Sequence, residues 1–86
     1  MRYSLRNKSK IQAKLGEEFL DKITKALDEH FKGRVKLSDE MFSDIPYPII
    51  EVKENDEEYI FAVTDRKFDV MNLAYCKTIK HENINS

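Results

Sequence analysis

The sequence predicts a small α+β domain of order α-α-β-β-β, in which two helices precede a three-stranded antiparallel meander and the longer helix packs on one sheet face. Two observations carry this prediction. Apolar residues recur at helical spacing before residue 33, and β-branched and aromatic residues concentrate in short runs after residue 48. Helices followed by strands favour α+β over an alternating arrangement. With 86 residues, we expect one domain over residues 1–80 and a flexible tail over residues 81–86.

The strongest predicted element is a helix from Glu17 to Lys32. Glutamates in its first turn and a lysine in its last turn suit the helix dipole. Gly33 is placed to end it. The apolar residues that define one helical face are Phe19, Leu20, Ile23, Ala26, Leu27 and Phe31.

A shorter helix is predicted from Leu5 to Leu15, with Ser4 as its N-cap and Gly16 at its end. The alternative is one continuous helix from about residue 8 to residue 32, because apolar residues keep i+4 spacing across Gly16. The glycine would destabilise that helix by roughly 1 kcal/mol. We prefer two helices because Gly16 and the two glutamates after it also indicate a new helix start.

The second half of the chain predicts strands. Residues 33–46 form a connector in which Ser38 caps one helical turn, and Pro46 and Pro48 then exclude helix. Strands are predicted over residues 49–54 and 59–64, with polar turns at 55–58 and 65–67. Residues 68–79 fit a third strand or a helix, and we predict a strand because no glycine, proline or good cap lies nearby.

The composition argues against catalytic and cofactor-bound classes. One cysteine (Cys76) and two histidines (His30 and His81) make no zinc set. Cys76 lies in an apolar stretch, and we predict that it is a buried structural thiol. Gly16 and Gly33 are too far apart for a phosphate-binding loop. We therefore predict no enzymatic activity, no cofactor and no metal. The sequence has a lone cysteine, no signal peptide and no long apolar run. These features predict a cytoplasmic protein without membrane contact.

The charges are nearly balanced, with 15 basic and 16 acidic residues, but they are unevenly placed. Residues 1–15 hold five bases and no acid, whereas residues 16–58 hold thirteen acids and six bases. The basic candidate contact residues are Arg2, Arg6, Lys8, Lys10 and Lys14, of which residues 6, 10 and 14 form one stripe on the predicted first helix. The acidic candidate surface around the first hairpin consists of Glu51, Glu54, Asp56, Glu57 and Glu58.

These observations favour a small non-catalytic protein-binding module, an inhibitor or accessory subunit of the kind that phages and mobile elements encode. Its partner is another protein or a second copy, since the basic and acidic segments of two antiparallel copies complement each other and a sheet edge offers another route. The alternative is a nucleic-acid-binding regulator that contacts phosphates through Arg6, Lys10 and Lys14. The acidic side chains on the second helix disfavour the insertion of that helix into the major groove of DNA. A simply solvated surface is the plainest interpretation of both charged segments.

Overall fold

The computed structural model describes residues 2–33, 37–38 and 44–81, with the backbone alone for residues 37–38. The elements follow the chain in the order β1 (Arg2–Leu5), α1 (Lys8–Leu15), α2 (Glu17–Lys32), β2 (Leu37–Ser38), β3 (Ile49–Glu54), β4 (Glu57–Lys67) and β5 (Val70–Lys80). Residues 82–86 of the predicted tail lie outside the described part.

The strands form one mixed sheet of order β1-β5-β4-β3-β2, curled into a half-barrel. β1 runs parallel to β5, and the other neighbours are antiparallel. The predicted three-stranded antiparallel meander is therefore wrong, although the protein is still α+β. The reason is that β1 and β2 are too short to show an alternating pattern, and each becomes a strand only by pairing with a longer one.

The predicted first helix begins too early. Arg2–Leu5 is a strand, and the helix starts at Lys8. The Arg2 amide donates to the Asp69 carbonyl and the Arg6 amide to the Leu73 carbonyl, both over 2.8 Å. Leu5 is buried in the core. These hydrogen bonds and the burial of Leu5 stabilise the strand more than a weak apolar face would stabilise a helix. Ser4 therefore lies in a strand and is not a helix N-cap.

Gly16 separates the two helices, as predicted. Its φ is +94°, a left-handed conformation that glycine adopts without steric cost. The Gly16 amide still donates to the Gln12 carbonyl, and the Leu20 amide donates to the Gly16 carbonyl. The predicted bounds of α2, Glu17 to Lys32, are confirmed. The prediction that Gly33 ends the helix in a left-handed conformation is wrong, because its φ is −90°.

Two hairpins form the centre of the sheet. The bounds predicted for β3 are confirmed, as is the strand in residues 68–79, where β5 lies. β4 is longer than predicted at both ends. The first turn is therefore shortened to Asn55–Asp56, and the second lies at residues 68–69. Asn55 has φ +56° and suits a tight turn. The predicted turn at 65–67 is wrong because those residues pair with the beginning of β5. The helical turn predicted after Ser38 lies outside the described residues, and Ser38 itself belongs to β2.

The core occupies both faces of the sheet. On one face, Ile23 and Leu27 of α2 pack with buried strand residues such as Tyr59, Phe61 and Leu73. Side chains alternate along β4, so its neighbours Ile60 and Ala62 form a smaller cluster on the other face, with Ile45 and Ile49. The face that carries α2 is called the helix face below.

Candidate binding groove

A groove lies between α1, the start of α2 and the last residues of β5. It consists of two adjoining depressions of about 350 and 500 Å³ that share Leu15 and Tyr75. Five lysines line it, and we call it the lysine groove: Lys10, Lys14, Lys22, Lys77 and Lys80. The apolar floor consists of Leu15, Phe19 and Tyr75.

The lysines meet there because three elements converge. Lys10 and Lys14 lie one turn apart on α1, and Lys22 lies on α2. The others lie on β5. Two carboxylates offset part of this charge: Glu57 is 3.5 Å from the Lys22 Nζ and Asp44 is 3.4 Å from the Lys77 Nζ. The positive charges outnumber these carboxylates, so the groove attracts anionic groups.

The aromatic rings of the floor are held by each other. The Tyr75 ring meets Phe19 and Phe61 edge-on, each at a centroid distance of 5.8 Å. The Tyr75 hydroxyl is 2.6 Å from the Thr78 hydroxyl. Leu15, by contrast, is 49% exposed. The floor therefore offers an aliphatic contact beside rings whose positions are fixed by packing.

The structure brings together only two of the five basic residues that the sequence singled out. Lys10 and Lys14 line the groove, whereas Arg2 lies in β1 and pairs with Asp69 over 3.4 Å. Arg6 lies outside the helix and Lys8 is its first residue, so the predicted stripe through residues 6, 10 and 14 is not formed. Sequence reasoning missed the lysines at positions 22, 77 and 80. The bulge at Cys76 interrupts the alternation along β5, so that Lys80 lies on the helix face and Lys77 on the other.

The acidic candidates do not form one surface. Glu57 lies on the helix face, where it accepts the Tyr59 hydroxyl, and Glu58 lies on the other face. Glu58 is paired with Lys53 over 3.8 Å and with the His81 Nε2 over 3.0 Å. By the same alternation Glu54 is on the helix face and Glu51 on the other, while Asp56 is exposed in the turn. Because Glu58 is ion-paired and the carboxylates lie on different faces of the sheet, their negative charge is less concentrated than the sequence analysis predicts.

A second cleft of about 320 Å³ lies between α2 and β3. Its ionisable lining is mixed in sign: Lys25, Glu29, His30, Lys53 and Glu54. The His30 Nε2 and one Glu54 carboxylate oxygen are buried there without a hydrogen-bond partner among the described residues. Burial lowers the pKa of His30, which favours the neutral imidazole.

Cys76 differs from its predicted place. The sequence indicates a buried thiol, but Cys76 is exposed at the bulge between Tyr75 and Lys77. Desolvation of the sulfur by its neighbours raises the pKa of the thiol, which opposes nucleophilic reactivity. Among the described residues, no group of three His, Cys, Asp or Glu side chains is arranged to hold a metal ion.

The chain matches no protein family, no curated protein and no solved structure at a significant level. In the part of the chain that the structure describes, no helix is both long and apolar enough to cross a membrane.

Proposed function

We propose that this protein is a non-catalytic binding module, an inhibitor or accessory subunit, whose lysine groove holds an acidic segment of a partner protein. The observation that carries the proposal is the convergence of Lys10, Lys14, Lys22 and Lys80 around the half-exposed Leu15. Complementary charge orients a partner and speeds its encounter, while a buried apolar contact supplies affinity. A segment that combines acidic residues with one or two apolar residues fits both parts of the groove.

The chemistry of the groove favours a protein over nucleic acid. Single-stranded nucleic acid binds through bases stacked on aromatic rings, but the Tyr75 ring is partly buried and already packs against two aromatic neighbours. The groove cations are all lysines, without the planar arginine fork that reads guanine. Nucleic-acid binding is therefore the competing outcome of the experiment below.

The proposal extends to the compartment. A single cysteine, exposed at the bulge, suits a reducing environment. We accordingly place the interaction in the cytoplasm.

A labelled peptide tests the proposal. The probe is a fluorescein-labelled decapeptide in which glutamates and one leucine occupy every second position, with serines between them, and its binding is measured by fluorescence anisotropy at about 50 mM and 500 mM salt. We expect binding that weakens at the higher salt, because exposed charges are then screened. Replacing Lys10 and Lys14 by Glu should weaken it at least about tenfold, since two attractive charges become repulsive.

A matched variant controls for net charge. Lys25 and Lys32 are also exposed helical lysines, but they lie outside the groove. Their replacement by Glu changes the total charge equally and should alter binding less than about twofold. Equal losses in the two double variants would contradict a defined site. Tighter binding of a single-stranded or duplex DNA probe, lost in the Lys10 and Lys14 variant, would assign the groove to nucleic acid.

A further inference from the structure

The lysine groove borders a length of β5 edge that has no strand beside it among the described residues. β1 pairs with β5 only from Val70 to Leu73. The side-chain amide of Asn7 takes the next position: its Nδ2 donates to the Tyr75 carbonyl and its Oδ1 accepts the Tyr75 amide, each over 3.1 Å. Asn7 thus ends the pairing begun by β1, while β5 continues to Lys80.

The register shows which backbone groups face outward beyond Asn7. The His81 amide donates to the Asp56 carbonyl over 2.7 Å, so these two residues form a hydrogen-bonded pair. Such pairs alternate with pairs whose amides and carbonyls point away from each other. Two pairs are therefore of the second kind, in which the amides and carbonyls point away from the partner strand: Lys80 with Glu57, and Thr78 with Tyr59. The N–H and C=O groups of Thr78 and Lys80 point to the open edge.

We infer that the acidic partner segment binds as an added β-strand along residues 76–80, with main-chain hydrogen bonds to Thr78 and Lys80. This inference rests on the proposed function of the lysine groove. An added strand obtains affinity from the backbone and specificity from alternate side chains. Those on the helix face enter the groove beside Leu15, where an apolar side chain fits. Acidic side chains two residues away lie on the same face and meet Lys80 and Lys14.

The charge of this edge selects an acidic strand over a second copy of the chain. Twofold antiparallel pairing of two β5 edges would bring together two segments that each carry Lys77 and Lys80 and no acid. Segments of like charge repel each other, which opposes their association. The edge is also charged on both faces, because Lys77 and Lys80 lie on opposite sides of the sheet. Lys77 is already 3.4 Å from Asp44, so an acidic segment of another protein gains its ionic contact at Lys80.

Methylation of the probe backbone tests the added strand. Two versions of the decapeptide carry N-methyl groups on alternate residues, in the two possible phases. Because only every second amide of a strand faces its neighbour, we expect one version to bind wild-type protein at least about tenfold more weakly and the other to bind within about twofold of the unmodified peptide. Hydrogen exchange should show new protection of the Thr78 and Lys80 amides.

A variant of the protein supplies the reciprocal test. Thr78→Pro removes an outward amide at an edge position, where proline is tolerated, and should reproduce the loss. Thr78→Val keeps the amide and removes only the hydroxyl, so it should bind more tightly than Thr78→Pro. If Thr78→Pro fails to fold, the methylated peptides on wild-type protein still decide the question.

The outcomes separate the two proposals. Equal binding of both methylated peptides, with the Lys10 and Lys14 variant still defective, would overturn the added strand and leave the lysine groove standing. Failure of every peptide to bind would overturn the proposed function itself. A dimer seen by light scattering in wild-type protein but not in Thr78→Pro would assign the edge to a second copy and would also overturn the inference.

Discussion

The side-chain amide of Asn7 acts as a substitute for a strand backbone, and its removal tests this interpretation. In Asn7→Ala, the Tyr75 amide and carbonyl each lose a partner at 3.1 Å in a partly buried position. A protein hydrogen bond contributes about 0.5–1.5 kcal/mol net. Two such bonds therefore predict a loss of about 1–3 kcal/mol. That is a sizeable share of the about 4–13 kcal/mol expected for a domain of this length.

Urea denaturation followed by circular dichroism measures the loss. With a slope of about 1 kcal/mol per M for a domain of this size, the midpoint of Asn7→Ala should fall by about 1–3 M. The Tyr75 amide should also exchange faster with solvent. Lys8→Ala is the matched control, because Lys8 is an exposed neighbour and surface changes usually stay within about 0.5 kcal/mol. An unchanged midpoint and slope in Asn7→Ala would refute the structural role assigned to this amide.

Four further changes probe the fold. Leu27→Asp places a charge at a fully buried position and should destabilise the protein by about 4 kcal/mol or more, whereas Lys25→Asp on the exposed side of α2 should destabilise it by less than about 1 kcal/mol. Equal melting temperatures would contradict the assignment of the buried side of α2. Gly16→Ala should destabilise by about 1–2 kcal/mol because φ is +94° there, although the space around it is open; a gain of stability in chemical denaturation would instead indicate a continuous helix. Phe68 is 98% exposed with φ +57°, so Phe68→Asn should raise the free energy of unfolding by up to about 1 kcal/mol, and a loss in the same measurement would show that the ring stabilises the turn. Burial lowers the pKa of His30, so the stability that its neutral form contributes is present above the ordinary pKa of about 6.5 and is lost as pH falls through that value. Between about pH 7.5 and 5.5 the free energy of unfolding should therefore drop less in His30→Gln than in the wild-type protein, and an identical drop would contradict the shift.

The elements that the sequence predicts well are those whose signals are local. The apolar stripe of α2 and the glycines at both ends specify Glu17–Lys32 without reference to the rest of the chain. The bounds of β3 follow from Pro48 before it and a polar turn after it. Residues 2–5 carry no such local signal, since Leu5 becomes a buried strand residue only because β5 lies beside it.

The candidate groove was only partly predictable for a similar reason. The i+4 spacing of Lys10 and Lys14 places both on one side of α1, and the structure confirms that they share a surface. The same spacing wrongly included Arg6, because the start of the helix was misplaced. Lys80 reaches the helix face through the bulge at Cys76, which follows from the pairing register and leaves no mark in the local sequence.

The parallel pairing of β1 with β5 has a consequence for the order in which the protein folds. Contacts such as that between Asn7 and Tyr75 join residues 68 positions apart, and closing so long a loop has a large entropic cost. The two helices and the hairpin of β3 and β4 join nearby residues and can form early. Since synthesis runs from residue 1 onward, β1 leaves the ribosome first and must wait until β5 has followed. We therefore expect β1, which precedes β5 in synthesis, to be placed in the sheet after the local elements have formed.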